Sequence, residues 1–169
     1  RGLGDVYKRQ YDNRKNNEWV ESRYVCKFMD VPYQNNDASN NYPVIRYADV
    51  ILMYAEALNQ NGKTAEACKY LNMTRRRGFG YQTTETSPVD LQTTDKAQFA
   101  LMVEQERRVE LAFENHRWFD LIRTGRAVEV MRSKGFSLNE TNLICPIPQK
   151  QIDVNPKLTQ NDYRIESRN

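Results

Sequence analysis

Glu106 and Glu110 stand four residues apart in an otherwise partly apolar stretch, and their type and spacing could do chemistry. Positions i and i+4 share one face of a helix, so both carboxylates would lie on the same side. Retaining glycosidases hold two carboxyl groups about 5–5.5 Å apart, a separation that this spacing allows. The complete predicted stripe is Phe99, Val103, Glu106, Glu110, Phe113 and Arg117.

The same two glutamates also fit a structural role, and we favour it. Catalytic carboxylates flank the scissile bond from different sides, whereas side chains on adjacent turns of one helix point the same way. Buried carboxylates are costly unless cations or several donors pair with them. We therefore expect each glutamate to bind an arginine and to lock its helix to the neighbouring helices. The candidate partners are Arg46, Arg75, Arg77, Arg117 and Arg123.

Other catalytic and metal-binding templates do not fit. His116 is the only histidine, which leaves little room for nucleophile–histidine catalysis. The three cysteines, Cys26, Cys68 and Cys145, are too far apart for a metal-site spacing, and we expect Cys68 to pack as a small hydrophobic residue. Gly78-Phe-Gly80 lacks the lysine and helix of a phosphate loop. We predict a protein that is not an enzyme, with no catalytic residue, metal or cofactor.

Aromatic side chains are the remaining candidates for ligand binding, with ten Tyr, six Phe and two Trp. Sugars present flat C–H faces that stack on such rings, and their hydroxyls need polar partners. Five rings lie in predicted loops near Asn, Gln and Thr, where ligand binding and simple packing are both open: Trp19, Tyr33, Tyr42, Phe79 and Tyr81. Trp118 and Phe119 lie in a predicted helix, and we expect them in the core.

Two helices must position these groups. Residues 45–60 carry an apolar stripe at helical spacing, formed by Ile45, Ala48, Leu52, Ala55 and Leu58 or Asn59. Gly62 is the expected stop, and residues 63–76 form the second helix. We predict an antiparallel hairpin with Ala55 and Ala67 near the contact, because small side chains let helix axes approach. Its length matches a tetratricopeptide repeat of about 34 residues, and one repeat must stack on other helices.

The rest of the chain alternates loops and short helices. Residues 78–94 form a loop, Asp95 caps a helix to about Asn115, and residues 117–124 continue as a short helix that Gly125 interrupts. Residues 126–133 add a turn or two, 143–148 are extended, and the remainder holds one turn and a polar tail. Residues 11–41 show irregular strands and a polar loop. The prediction is an all-α, incomplete domain of the α–α superhelix type, with a tetratricopeptide-like hairpin, further helices and long irregular loops.

Composition limits the partners. Net charge is +3, from 25 basic and 22 acidic side chains that are interspersed, which argues against nucleic acid. The run Arg75–Arg77 is expected at a helix C-terminus, where cations complement the dipole. No apolar run approaches the roughly 18–20 residues of a membrane span. Residues 1–10 (RGLGDVYKRQ) look like an adapter-derived scar, so we assign the domain to residues 11–169.

Several motifs in a fixed order give the sequence a family resemblance. They are YPVIRYADVILMYAEA at residues 42–57, residues 72–78, ERRVELAFE at 106–114, RWFDLIR at 117–123, CPIP at 145–148, Asn155-Pro156 and Gln160-Asn161. With these motifs the chain resembles the C-terminal part of a SusD/RagB-type outer-membrane nutrient-binding protein.

The resemblance implies an all-helical lipoprotein with tetratricopeptide repeats on the surface of a Gram-negative cell. Such proteins cap a TonB-dependent, SusC-like transporter and pass it glycans or other oligomeric nutrients, without cleaving them. The lipid anchor would be N-terminal and outside this sequence, and the resemblance assigns no ligand-contacting residue within it. A helical scaffold that binds peptides or proteins is the alternative function, and a glycoside hydrolase fragment is the third.

Overall fold

The computed structural model describes residues 6–13, 18–25, 27, 41 and 43–162. In that part of the chain two antiparallel strands, β1 (Val6–Asn13) and β2 (Glu18–Val25), precede the helices. The helices are α1 (Tyr47–Gln60), α2 (Thr64–Gly78), α3 (Lys96–Glu110), α4 (His116–Arg123), α5 (Ala127–Arg132), a 3-10 helix (Glu140–Leu143) and α6 (Gln149–Val154). The all-α prediction is confirmed for residues 43–162.

The predicted hairpin is confirmed. Helix α1 ends in a Schellman motif, in which Gly62 N–H donates to Asn59 O and Lys63 N–H donates to Leu58 O. Gly62 has φ +76°, a left-handed conformation that glycine adopts without a Cβ clash. The chain reverses there, and the rings of Tyr54 and Tyr70 then meet edge to face at 4.7 Å, midway along both helices.

Helix α3 packs against both helices of the hairpin. Asp95 caps it as predicted, because its carboxylate accepts from Gln98 N–H at 2.7 Å. The shared core of α1, α2 and α3 consists of Leu52, Ala55, Leu58, Ala67, Cys68, Leu71, Phe99 and Val103. Ala55 and Ala67 are fully buried in it, which agrees with their predicted place at the helix contact.

Two predicted boundaries were wrong. Helix α3 ends at Glu110 and not near Asn115, because Phe113 (φ 66°) and Asn115 (φ 63°) adopt the left-handed conformation that breaks an α-helix. Phe113 therefore leaves the predicted stripe and is 59% exposed. Ile45 also precedes its helix and is exposed, since α1 begins after Arg46, whose backbone is extended.

The chain divides into two compact units, Arg1–Arg117 and Trp118–Asn169. In the second unit, the segment around Pro146 and Pro148 is extended, and these prolines cannot donate to a strand ladder. The side-chain amide of Gln160 makes the two hydrogen bonds that a neighbouring strand would make to Ile147. It accepts from Ile147 N–H at 2.8 Å and donates to Ile147 O at 2.9 Å. Asn161 donates to Cys145 O at 2.8 Å. The CPIP and Gln160-Asn161 motifs are thus two halves of one structural feature.

Candidate functional site

The two glutamates singled out by their spacing lie on the buried side of α3, and each binds an arginine, as predicted. Glu106 is 3% exposed and accepts from Arg75 Nη1 at 3.3 Å. Glu110 is 6% exposed and accepts from Arg46 Nη2 at 3.0 Å, and it also pairs with Arg77. These arginines come from the start of α1 and the end of α2, so the pairs join all three helices.

The other two candidate arginines bind different carboxylates. Arg117 lies 3.0 Å from Glu104, and Arg123 lies 2.9 Å from Asp120 within the second unit. The Arg75–Arg77 run does occupy the last turn of α2, as predicted, and each of its members pairs with a carboxylate. Helix-dipole compensation is therefore only part of what this run does.

Glu114 is the main member of this network that the sequence analysis missed. Arg46 binds it with two parallel hydrogen bonds, Nε to Oε2 at 2.7 Å and Nη2 to Oε1 at 2.8 Å, and Lys27 forms a second ion pair with it. Glu114 lies outside the helical stripe because it follows the left-handed Phe113. Its position four residues after Glu110 was visible, but the broken helix that turns it toward Arg46 was not.

The same two cations cap the end of α3. The last carbonyls of a helix have no partner within the helix, and cations stabilise them. Lys27 Nζ donates to the carbonyls of Glu110 (2.9 Å) and Ala112 (3.1 Å), and Arg46 Nη2 donates to Glu110 O at 3.1 Å. The backbone turn and the buried carboxylates therefore share one set of donors.

Electrostatics favour the charged forms of Glu114 and Arg46. Burial alone raises the pKa of the Glu114 carboxyl, but hydrogen bonds from Arg46 and Lys27 and their charges outweigh burial, so the pKa is lowered from its ordinary value. The pKa of Arg46 is raised, chiefly because it donates to Glu114. A general acid needs a carboxyl whose pKa is raised toward the working pH. The arrangement favours a permanent ionic lock over proton transfer.

A further buried pair, also missed from sequence, links the first turn of α1 to the last turn of α3. Arg107 Nη1 donates to Asp49 Oδ1 at 2.6 Å, and each side chain is 5% exposed. Asp49 occupies a position on the apolar side of α1 between predicted core residues. The sequence offered a signal in this charged residue on an apolar stripe, together with an arginine on the facing helix.

A polar groove lies between α2 and the loop that follows it. Its cavity is about 560 Å³ and is lined by Ala65, Cys68, Lys69, Asn72, Arg76, Thr86, Asp90, Gln92, Thr93 and Thr94. Arg76 fixes the loop through two hydrogen bonds to Asp90, at 2.8 and 2.5 Å, and Asn72 exchanges two hydrogen bonds with the backbone of Leu91. Cys68 is buried as predicted, and its thiol donates to Thr93 O at 3.6 Å. The groove is a surface rich in hydroxyl and amide groups, and these hydrogen bonds hold its loop against α2.

The Arg76 contacts affect Asp90 directly. The hydrogen bond from Arg76 lowers the pKa of Asp90 to about 2, against the opposing effect of burial and with help from Ser87. The pKa of Arg76 is raised, mainly by the same hydrogen bond. Asp90 therefore stays ionised in all but strongly acid solution.

The aromatic candidates do not form one set. Phe79 and Tyr81 flank Gly80 at the end of α2 and are 49% and 45% exposed, and the Arg75 guanidinium lies 5.4 Å from the Phe79 ring centre. Trp19 falls in β2 instead of a loop, and Tyr33 and Tyr42 lie outside the described residues.

The core prediction for Trp118 and Phe119 was wrong. They are 38% and 68% exposed, while the neighbouring Asp120 and Leu121 take the buried positions of α4.

Metal-binding clusters and membrane-spanning helices are absent from the described ranges. Residues 43–162 and the shorter described stretches hold no group of three or more His, Cys, Asp or Glu able to bind a metal ion. No helix in the described part of the chain is both long and apolar enough to cross a membrane.

Comparison with known proteins places the chain. A sequence profile of the SusD family matches residues 4–163. The chain is 36% identical over 142 residues to SusD-like protein P38 of Formosa agariphila. This alignment covers 83% of the chain and 28% of P38. SusD-like protein P25 of the same organism is 33% identical over 149 residues, covering 82% of this chain and 28% of P25. The chain thus spans little more than a quarter of the length of these curated relatives.

Solved structures agree. A SusD homologue from Bacteroides thetaiotaomicron aligns with a TM-score of 0.63 and 38% identity, over 76% of this chain and 28% of that one. A structure described as a laminarin-binding SusD-like protein aligns with a TM-score of 0.57 and 33% identity, over 86% of this chain and 31% of that one.

Proposed function

The chain belongs to the SusD family, and from that premise we propose that it is the helical scaffold of a cell-surface receptor that binds oligosaccharide without cleaving it. The single observation that carries the proposal is the family match across residues 4–163. A solved relative that aligns with 86% of the chain is described as laminarin-binding, and this description supports a glycan as the ligand class.

The geometry supports binding without catalysis. Glu106 and Glu110, the candidate catalytic pair, are buried and held by arginines from two other helices. A hydrolytic pair must reach the two sides of a glycosidic bond, and carboxylates committed to an interhelical lock do not. The hydrolase alternative therefore draws no support from this arrangement.

The partners follow from the same proposal. The receptor would sit on the outer membrane through a lipid outside these residues and pass its ligand to a TonB-dependent, SusC-like transporter. We also propose that residues 1–10 are a scar and that the domain covers residues 11–169.

The test compares two proteins. One is the 169-residue chain, and the other is a chimera in which the matching segment of P38 is replaced by the corresponding segment of this chain. Calorimetry with a glycan panel that includes laminarin should detect binding by the chimera and weak or no binding by the chain, because stacking on sugars needs several rings fixed at once. Product analysis should find the glycans intact. Release of shortened sugars by the folded chimera, or a folded chimera and P38 that both bind no glycan, would refute the proposal.

A further inference from the structure

A groove at the open end of the α1–α2 hairpin has the features of a ligand site. It lies between the start of α1, the end of α2 and the loop that follows α2, and its cavity is about 240 Å³. This volume is a little below the range of about 300–1,000 Å³ that holds drug-sized ligands, so the groove has room for a group such as one sugar ring. We call it the hairpin groove.

One of its features is a buried hydroxyl without a partner. Thr74 lines the groove and is 3% exposed, and its Oγ1 makes no hydrogen bond within the described residues. Buried polar side-chain atoms in native proteins nearly always have a partner, and an unpaired one costs free energy. A ligand in the groove that accepts a hydrogen bond would satisfy this hydroxyl.

A second feature is surplus positive charge. In the part of the chain that the structure describes, the ion-pair cluster at the groove combines three cations with two carboxylates: Lys27, Arg46 and Arg77 with Glu110 and Glu114. Arg46 is committed, because it binds both carboxylates. Arg77 donates only from Nη2, to Glu110, in the same part of the chain, and its side chain is 56% exposed. One further carboxylate would balance the charge of the cluster.

The lining of the groove narrows the ligand. A guanidinium carries five donors in a planar fork that matches a carboxylate with two parallel hydrogen bonds, and one bond to Glu110 leaves Arg77 able to form such a pair. Apolar side chains of Tyr47, Ile51 and Met73 complete the lining, and Tyr47 is 75% exposed. The C–H face of a sugar ring packs on such side chains, whereas a small inorganic anion would not cover them. A sugar ring that carries a carboxylate fits both parts of the lining.

We propose that the hairpin groove binds a uronate residue of an acidic oligosaccharide. The uronate carboxylate pairs with Arg77, one oxygen of the sugar accepts a hydrogen bond from Thr74 Oγ1, and the C–H face of the ring packs on Tyr47. Arg46 keeps its bonds to Glu110 and Glu114 and positions the lining. The inference rests on the proposed function, which it narrows from oligosaccharides in general to those that carry carboxylates.

An NMR titration of the 169-residue chain tests the site directly. The probe is an oligogalacturonate, and the references are a laminari-oligosaccharide and a sulfated neutral oligosaccharide of equal length. The oligogalacturonate should shift the Arg77 Nε–H signal and the ring signals of Tyr47, and the neutral sugar should leave both unchanged. Equal shifts with the neutral sugar, no shift with the oligogalacturonate, or equally tight binding of the sulfated sugar would overturn the proposal.

Two variants and a control identify the residues. Arg77→Gln should weaken oligogalacturonate binding at least about tenfold, the loss typical of a hydrogen bond to a charged group. Lys63→Gln is the matched control, because it removes one positive charge at the other end of the hairpin from a side chain that is 62% exposed, and it should leave the affinity unchanged. Equal losses in these two variants would mean attraction by net charge and would overturn the proposal.

Thr74→Val removes the hydroxyl and keeps the shape of the side chain. The variant should melt no lower than the original chain, because the hydroxyl has no partner within the described residues, and its affinity should fall roughly 2–10-fold. A variant that melts lower and binds as tightly as the original chain would overturn the proposal.

The P38 chimera separates this inference from the proposed function. Binding of oligogalacturonate by the folded chimera, weakened by Arg77→Gln, supports the inference. If the chimera binds laminarin but no oligogalacturonate, the inference fails and the proposed function stands. If the chain binds oligogalacturonate and the folded chimera does not, the groove is covered in the whole domain and the inference fails too. If the chimera and P38 bind no glycan at all, the proposed function fails with it.

Discussion

The ion pairs between α1, α2 and α3 and those along the surfaces of single helices use the same residue types in opposite settings. Asp49 and Arg107 are each 5% exposed and join two helices at 2.6 Å. Lys63 and Glu66 are 62% and 41% exposed and lie 3.9 Å apart within one helical turn. Burial leaves a charge without solvent if its partner is lost, whereas water replaces the partner at the surface. The buried pairs between helices should fix how the helices pack, and the surface pairs should contribute little to the free energy of unfolding.

The largest effect is expected for Asp49→Ala. It leaves Arg107 charged and buried, and breaking such a pair typically costs about 3–5 kcal/mol. The free energy of unfolding from urea denaturation should fall by that amount. Asp49→Ala combined with Arg107→Leu should lose less than Asp49→Ala alone, because the buried charge of Arg107 is removed together with that of Asp49. A single variant as stable as the original chain would contradict the buried-pair interpretation.

Glu110→Ala should lower the free energy of unfolding by a smaller but measurable amount. Arg46 keeps its two hydrogen bonds to Glu114, and Arg77, whose side chain is 56% exposed, becomes hydrated. What is lost is a set of hydrogen bonds between charged groups, about 1.5–3 kcal/mol in typical cases. Urea denaturation measures it, with Glu66→Ala as the matched substitution at a surface pair. If both variants lose equally little, the network around Glu110 does not lock the helices.

A third prediction concerns acid. The pKa of Asp90 is about 2 in the folded chain, against about 3.9 in an unfolded one, so the unfolded state binds protons first as pH falls. The stabilisation by Asp90 is present above about pH 4 and is lost as the pH falls through about 2.

Melting curves of the chain and of Asp90→Asn check this. The variant should melt lower near pH 6, and the gap should close as the pH approaches about 2. Arg76→Lys should lie between them, because lysine keeps the charge but loses the two-bond geometry. A gap that stays constant over this range would show that the Asp90 charge contributes nothing.

Part of the fold and part of the buried ion-pair network could be predicted from the sequence. The apolar spacing of Leu52, Ala55 and Ala67 was enough to predict the hairpin, because helical period and small residues act locally. The pairing of Glu106 and Glu110 with arginines followed from the cost of burying charge.

The role of Glu114 was not predicted, because its placement depends on the left-handed backbone of Phe113 and Asn115. Neither periodicity nor helix propensity indicates that conformation. Trp118 and Phe119 were misplaced for a related reason: helical spacing identifies a stripe, but what covers it is decided by residues elsewhere in the domain. The groove along α2 depends on contacts between residues 14 to 25 apart, such as Cys68 with Thr93, that no local pattern encodes.

Glu66→Ala tests the surface side of the comparison. Lys63 and Glu66 are one turn apart and largely hydrated, and such pairs contribute about 0.3–0.5 kcal/mol at most. The variant should be nearly as stable as the original chain in urea, and any difference should vanish at high salt, where exposed charges are screened. A loss near that of Asp49→Ala would mean that burial is not what separates the two kinds of pair.

The smallest effect is expected from deleting residues 1–10, the suspected scar. The deletion removes most of β1, which the structure describes as one strand of a two-stranded sheet with β2. A two-stranded hairpin is in any case marginal in water, whereas the core cluster and the Asp49–Arg107 pair lie in α1, α2 and α3. The shortened chain should therefore match the original within about 0.5 kcal/mol, the range typical of changes that touch no core contact. Thermal and urea denaturation of both chains measure this. A clear loss of stability would make β1 part of the domain, and it would move the boundary that we place between residues 10 and 11.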